Sequence, residues 1–371
     1  MKILMIGNNL GIQSGVQRYV QNLLLHMDLQ RYQVDLMLGP CPPGQQSTQA
    51  TLAAAGVRRF VMIPEDDKKR LPALVRFLRA NHDYDIIHVH TASKVNALNC
   101  AAVKALCPRA KLVVHSHIVY PPTTLVWRMA HLVYGLAADY FLGCGVAAGR
   151  FVFGPNIDKK QNFSVACNAV DKTRFAPNAA ARQALRAQYG LTDADRCCGF
   201  VGRYNHQKNL LYLLDVFAAM AAADPRWRLL LVGGGEDQQR VDEKIAALGL
   251  GGRVIQAGVQ NDIPAYMNAF DLFLLPSEFE GSPVTLVEAQ GCGVPCLASE
   301  NVPNDGSVTE LVHFLPLSAP FAQWAAVADR IAPGGPHTDH WPVLAAHGYE
   351  LNAAARRMEH LYDTLAGGAG R

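Results

Sequence analysis

The chain lacks the features that mark several protein classes. No run reaches the roughly 20 mainly apolar residues that a membrane-spanning helix needs; the most apolar stretch, Leu125 to Ala148, is interrupted by Arg128, His131 and Asp139. There is no Cys-x-x-Cys pair, and the nine cysteines are scattered and odd in number. They are expected as free thiols in a reducing compartment. The first residues, Lys2-Ile3-Leu4-Met5-Ile6-Gly7, form a strand pattern running into a glycine, so no secretory leader is expected. Charged residues make up only 18% of the chain against 50% hydrophobic, which excludes a disordered or fibrous class and permits large cores. Internal repeats and low-complexity segments are absent as well.

What is present is a length of 371 residues, enough for about two domains, and a hidden charge asymmetry. Residues 1–170 hold 18 Lys and Arg against 9 Asp and Glu, whereas the remainder holds 16 against 22. A basic first half favours an anionic partner through long-range attraction. Short apolar runs alternate with amphipathic stretches through that half. Ile3–Ile6, Val34–Leu38, Ile86–Val89, Leu112–Val114 and Tyr140–Leu142 read as buried strands, with helices such as Val16–Met27 and Leu71–Arg79 between them. After a polar, Ala-rich passage, Asp171 to Asp195, a second series begins. Its strands are Gly199–Val201, Arg228–Val232, Val254–Ala257, Leu272–Leu275 and Pro295–Ala298; its helices include Asn209–Ala223, Glu236–Ala247 and Val284–Gly291. The pattern predicts an α/β protein of two doubly wound Rossmann-like domains facing across a deep cleft. The expected ranges are 1–170, 171–347 and a final helical segment, 348–371, packing back on the first domain.

Two segments of the second half carry chemistry. Gly202-Arg203 and Lys208-Asn209 lie between a strand and a helix, where a planar guanidinium and an ammonium can meet one diphosphate and helix N–H groups can assist. Glu280-Gly281-Ser282-Pro283-Val284 leads from the strand end at Pro276-Ser277 into a helix that carries Glu288. A glycine at 281 suits a strained turn and a proline at 283 suits a helix's first turn. Glu280 and Glu288, about two helical turns apart, can grip different hydroxyls of one ligand.

In this order, Gly202-Arg203-x4-Lys208, Glu280-x7-Glu288, the Asn168-Ala169-Val170-Asp171 crossing and Leu231-Val232-Gly233-Gly234-Gly235 closely resemble the retaining GT-B glycosyltransferases of glycosyltransferase family 4. The bacterial capsular and exo-polysaccharide assembly members are most similar. The resemblance implies that Arg203 and Lys208 neutralise the donor diphosphate, that Glu288 accepts from the nucleotide ribose, and that Glu280 contacts the transferred sugar. It further implies that the Gly281-Ser282-Pro283-Val284 segment holds the β-phosphate and sugar through its backbone N–H groups, Pro283 itself having none, and that the base, uridine by default, lies along Val259 to Ile263. The implied reaction moves a hexose or N-acetylhexosamine from a nucleotide-diphosphate sugar to a glycan or lipid-diphosphate-linked acceptor. No cofactor or metal is expected, because the cations would serve the leaving phosphate. A nucleotide-sugar epimerase of the same fold, or a non-catalytic sugar-nucleotide-binding subunit, are the alternatives.

In the first half, family members often carry two adjacent glycines where this chain has Ser14-Gly15, so the resemblance assigns only Gly15 a close approach to the donor. It places His117 beside the donor sugar. His88-Val89-His90 and His115-Ser116-His117 form like-faced pairs, but nothing completes a known zinc spacing, so no metal is expected and His115 is read as a strand residue satisfied by its neighbours. Lys68-Lys69-Arg70, Arg76 and Arg79 give the 71–79 helix a basic back, suited to peripheral contact with an anionic membrane. The expected setting is cytoplasmic, at the inner membrane face, with no nucleic-acid partner.

Overall fold

The computed structural model of the chain describes residues 1–7, 9, 15–41, 47–64, 66–91, 96–118 and 125–367. Two compact units result: Met1–Ala169 joined by Leu351–Arg371, and Val170–Glu350.

In the first unit, short β-branched and apolar segments alternate with amphipathic ones. The order is β1 (Lys2–Ile6), α1 (Gly15–His26), β2 (Gln33–Leu38), α2 (Gln49–Ala55), β3 (Arg59–Met62), α3 (Asp67–Ala80) and β4 (Ile86–Thr91). It continues with α4 (Asn96–Leu106), β5 (Lys111–Ser116), α5 (Leu125–Ala137), β6 (Tyr140–Gly143), α6 (Val146–Phe153) and β7 (Phe163–Val165). All seven strands are parallel, in the order β3-β2-β1-β4-β5-β6-β7. Leu4, Ile87, Val89, Leu112 and Val114 bury one face against α4, α5 and α6 through Val103, Tyr134 and Val152. Ile3, Met5, Val34, Leu36 and Val113 bury the other against Val20, Leu23 and Leu24 of α1.

The second unit runs α7 (Ala179–Gln188), β8 (Arg196–Arg203), α8 (Leu210–Ala223), β9 (Trp227–Gly234), α9 (Gln238–Ala247), β10 (Val254–Gly258) and α10 (Ile263–Ala269). Then follow β11 (Leu272–Leu275), α11 (Val284–Gly291), β12 (Cys296–Ser299), β13 (Val312–Leu315), α12 (Phe321–Ile331) and α13 (Trp341–Ala346). Its sheet is parallel, ordered β10-β9-β8-β11-β12-β13. The last helix, α14 (Leu351–Gly367), returns to the first unit, where Ala355, Met358 and Tyr362 complete the α1 side of its core. Asp28 N–H donates to Glu359 at 2.8 Å and Arg31 pairs with Asp363 at 2.6 Å, pinning this helix to the turn between α1 and β2.

Three strands, β3, β7 and β13, are not anticipated by the sequence pattern. All three are sheet edges whose side chains are only partly buried. An edge strand needs no continuous apolar run, so its signal is weak. All nine cysteines are free, and none of the described helices is long and apolar enough to cross a membrane.

Candidate functional site

In a doubly wound sheet, neighbouring strands whose connections leave in opposite directions open a crevice at their carboxyl ends. In the second unit this switch lies between β8 and β11. The end of β8 delivers Arg203; the loop after β11 delivers Ser277 and Glu280. Topology alone therefore brings the two sequence motifs to one place.

The β8 end is shaped by the glycine run at the end of β9. Gly202 pairs with Gly233 and Arg203 with Gly234. A Cβ at Gly233 would sit 1.8 Å from the Gly202 carbonyl oxygen, and Gly233 has φ of 137°, so no side chain fits there. The sequence motifs draw attention to Gly202, at the strand exit, and to Gly281, in the turn before α11. Gly202 is instead an ordinary strand residue, and Gly281 has no left-handed φ; the backbone requirement falls on Gly233. Val259 lies against this run, its Cγ2 3.6 Å from where a Gly234 Cβ would be, and Ile263 opens α10 nearby in the chain.

Beyond Arg203 the chain does not enter the helix directly. A single turn of 3-10 helix, His206–Lys208, is capped by Asn205, whose Oδ1 accepts from Lys208 N–H at 3.1 Å. Asn209 then takes the left-handed conformation before α8 begins. Its side chain donates to Glu278 at 3.0 Å, while Glu278 N–H donates to the Gln207 carbonyl at 2.8 Å. Two loops distant in sequence are thus laced together, and their charged groups meet. Lys208 Nζ donates to Glu280 Oε1 at 2.5 Å, with both side chains largely buried. Ser277 Oγ donates to the same oxygen at 2.8 Å and Gln207 Nε2 to Oε2 at 3.2 Å. Arg203 is exposed, its Nε donating to Glu236 at 3.0 Å.

Pro283 sits at the N-cap of α11 rather than inside its first turn, with Val284 as the first helical residue. The first-turn N–H groups of such a helix have no partner within it and favour anions. Gly281 and Ser282 precede this turn, Thr285 follows with a buried hydroxyl that has no hydrogen-bond partner, and Glu288 is buried one turn further along. Gln207, Ser277 and Glu236 are the participants that spacing did not reveal. Glu236 carried the one legible signal, an acid directly after three glycines.

In the first unit the switch lies between β1 and β4. Gly15 is the first residue of α1, and a Cβ there would meet nothing within 4 Å; Ser14 lies outside the described residues. The four histidines do converge. His88 and His90 share one face of β4, His90 pairs with His115 on β5, and His117 follows that strand. His90 Nδ1 and His117 Nε2 are 3.0 Å apart, and His88 Nδ1 is 2.6 Å from the Tyr362 hydroxyl of α14. Tyr19 of α1 packs edge-on over His115. His115, expected to be satisfied by its neighbours, is packed against the rings of Tyr19, His88, His90 and His117, while its buried ring nitrogens gain little from hydrogen bonding. Burial, reinforced for His88 by the neighbouring His117, pushes His88 and His117 down to about 3; His90 and His115 move in the same direction for the same reasons.

His88, His90 and His115 have nitrogens within 4.8 Å of one another. Nitrogens bound to one zinc at about 2.1 Å must all lie closer than about 4.2 Å. The rings also stack, at 27° and 14° between planes, instead of converging on a point. As placed, they form a neutral packed array, and a shared ion would require them to turn. The sequence does hold two Asp-x-Asp triplets, Asp83-Tyr84-Asp85 and Asp193-Ala194-Asp195, but they precede β4 and β8 and so lie at the opposite, amino ends of their sheets. Asp83 and Asp85 hold Lys2, and Asp195 holds Thr192 and Arg228.

Comparison with known proteins follows the same division. The family described as "Glycosyl transferases group 1" matches residues 181–332, and the "Glycosyl transferase 4-like domain" matches residues 14–153. EpsF of Bacillus subtilis (strain 168), which carries a provisional glycosyltransferase name, is 29% identical over 367 residues, covering 95% of this chain and 94% of its own. An Escherichia coli enzyme named UDP-Gal:alpha-D-GlcNAc-diphosphoundecaprenol alpha-1,3-galactosyltransferase is 29% identical over 63% of this chain and 62% of its own. Among solved structures, HepE of Anabaena in complex with UDP aligns over 99% of this chain and 98% of its own, with a TM-score of 0.73 at 19% identity. The motifs, the two parallel-sheet units and these matches agree: the chain belongs to the GT-B glycosyltransferases, with a family 4-like N-terminal unit and a group 1 C-terminal unit.

Proposed function

We propose that this glycosyltransferase moves a hexose or N-acetylhexosamine, with retention, from a UDP-sugar to a glycan or lipid-diphosphate-linked acceptor during surface polysaccharide synthesis. The observation that carries the donor assignment is the Lys208–Glu280 contact beside Arg203 at the β8/β11 switch. An ammonium has three donors, and one is committed to Glu280, leaving two for phosphate oxygens. A carboxylate offers about four lone-pair positions. Glu280 uses three, on Lys208, Ser277 and Gln207, and one remains for a sugar hydroxyl. Arg203, held at Nε by Glu236, keeps its terminal nitrogens available for the same diphosphate.

As the bond from the anomeric carbon to the β-phosphate breaks, negative charge grows on the phosphate. Arg203, Lys208 and the first N–H groups of α11 act on that charge, at about 3–4 kcal/mol for one well-placed donor. Glu288 takes the ribose hydroxyls, and Val259 to Ile263 flank the base. The acceptor hydroxyl attacks the face the phosphate leaves, forming the new glycosidic bond as its proton passes to the departing β-phosphate oxygen, and no divalent metal takes part. The UDP named in the HepE complex and the UDP-galactose donor and diphosphoundecaprenol-linked acceptor in the E. coli relative's name support this choice of substrates. The reading places the protein at the cytoplasmic face of a membrane, in peripheral contact through its basic N-terminal half.

The test is a thermal-shift screen of nucleoside diphosphates, followed by UDP release from UDP-sugars with and without a diphosphate-linked acceptor. UDP should raise the melting temperature, and release should require acceptor. Sugar conversion without release would favour an epimerase. No stabilisation by any nucleoside diphosphate would overturn the donor site.

A further inference from the structure

Helix α5 is inverted relative to an ordinary surface helix. Ala130, Tyr134 and Ala137 face the core, with Trp127 and His131 partly covered beside them. Its outer face is aliphatic: Leu125, Met129, Leu132 and Leu136 are 72%, 63%, 69% and 86% exposed. At 3.6 residues per turn these four fall within an arc of about 60°. Val126 borders the stripe on one side and Arg128 on the other, both exposed, and Leu98 of the adjacent α4 is 57% exposed. Such a continuous apolar patch on a folded surface marks a place where something binds.

We infer that the α5 stripe is the surface by which this unit lies on an anionic lipid bilayer. This rests on the peripheral contact proposed above and moves it from the basic back of α3 to α5. Charge argues for lipid as the occupant. From residue 86 to residue 169 there are eight Lys and Arg against two Asp, and both acids are already paired, Asp139 with Lys104 and Asp158 with Arg150. The exposed stripe is aliphatic, and its one aromatic, Trp127, is turned inward against Phe151. Protein interfaces instead concentrate aromatic side chains at their centres, whereas an aliphatic stripe bordered by a cation, here Arg128, on a helix with no acidic residue suits contact with an anionic membrane interface. A lipid-borne acceptor would then reach the enzyme along the surface to which α5 is anchored.

Co-sedimentation with vesicles of phosphatidylcholine mixed with phosphatidylglycerol, at low salt, tests the assignment. Wild type should pellet with these vesicles. Leu132→Glu with Leu136→Glu should lower the partition constant at least about tenfold, while Arg76→Glu with Arg79→Glu on α3 should change it little. If the α5 variant binds like wild type, α5 is not the contact, and loss in the α3 variant would return the contact to that helix. Failure of wild type to bind overturns the membrane contact altogether. Light scattering that shows a wild-type dimer dissolved by the α5 variant would make the stripe an interface between copies instead. The melting-temperature shift with UDP, measured on the same variants, reports folding and the donor site separately, so a failed donor reading is not confused with a failed docking surface.

Discussion

Lys208 and Glu280, 72 residues apart, hold each other at 2.5 Å before any substrate arrives. The cation proposed to meet phosphate and the carboxylate proposed to meet sugar are thus positioned by one another. The arrangement prepays the ordering of two long side chains and keeps a partly buried carboxylate from standing alone.

Removing one partner should therefore cost stability as well as activity. Lys208→Met is expected to lose about 3 kcal/mol in chemical denaturation, since it strands a buried charge. Adding Glu280→Gln should recover much of the loss, because an amide can still accept from Ser277, while turnover stays depressed. Equal stability of Lys208→Met and wild type would mean the ion pair contributes nothing to the fold.

Arg203 should behave differently, because both it and Glu236 are more than half exposed. Arg203→Ala is expected to leave stability within about 0.5 kcal/mol. Turnover should fall roughly a hundredfold, from loss of charge stabilisation at the leaving group. Steady-state kinetics beside a melting curve separates the two quantities; a variant as active as wild type removes Arg203 from the mechanism.

Glu288 is buried on α11, four residues beyond its first turn residue Val284. Glu288→Ala should weaken UDP binding by about 1–3 kcal/mol for lost ribose hydrogen bonds. Titration calorimetry with UDP and with free phosphate distinguishes this from general damage, as only UDP affinity should change.

Both sheets and the donor-side motifs were legible because buried parallel strands are short and apolar and because chemistry at a strand end follows the strand. The lacing was not. Gln207 and Ser277 look like ordinary loop residues until the β8/β11 neighbourhood, a long-range pairing, sets them on Glu280. Motif position points to Gly202 and Gly281, while sterics demand glycine at Gly233 and Gly235, where a Cβ would strike the backbone of Gly202 and Tyr204, a need visible only once β9 lies beside β8. The outward stripe of α5 was similarly hidden, since periodicity shows that a helix is amphipathic and leaves open which face is buried.

The histidine array gives a pH prediction. His88 and His117 are held near 3 in the fold and return to about 6.5 when the chain unfolds. Unfolding then takes up protons below pH 6.5, so stability is constant above that value and falls as pH drops from 6.5 toward 3. Each ring contributes about 1.4 kcal/mol per pH unit in that window. Denaturation midpoints measured from about pH 7.5 down to about pH 5 should show an uptake of at least about two protons per molecule at the acid end. A flat profile would contradict the neutral packed array.

Helix α14 has a consequence for how the molecule is made. The second unit is one uninterrupted segment, Val170–Glu350, and can finish folding as soon as it leaves the ribosome. The first unit, synthesised earlier, must wait for Ala355, Met358 and Tyr362 to fill its core and for Tyr362 to reach His88. Assembly thus runs against the order of translation, and a chain that stops near residue 350 carries a finished second unit and a first sheet whose α1 face is only partly covered.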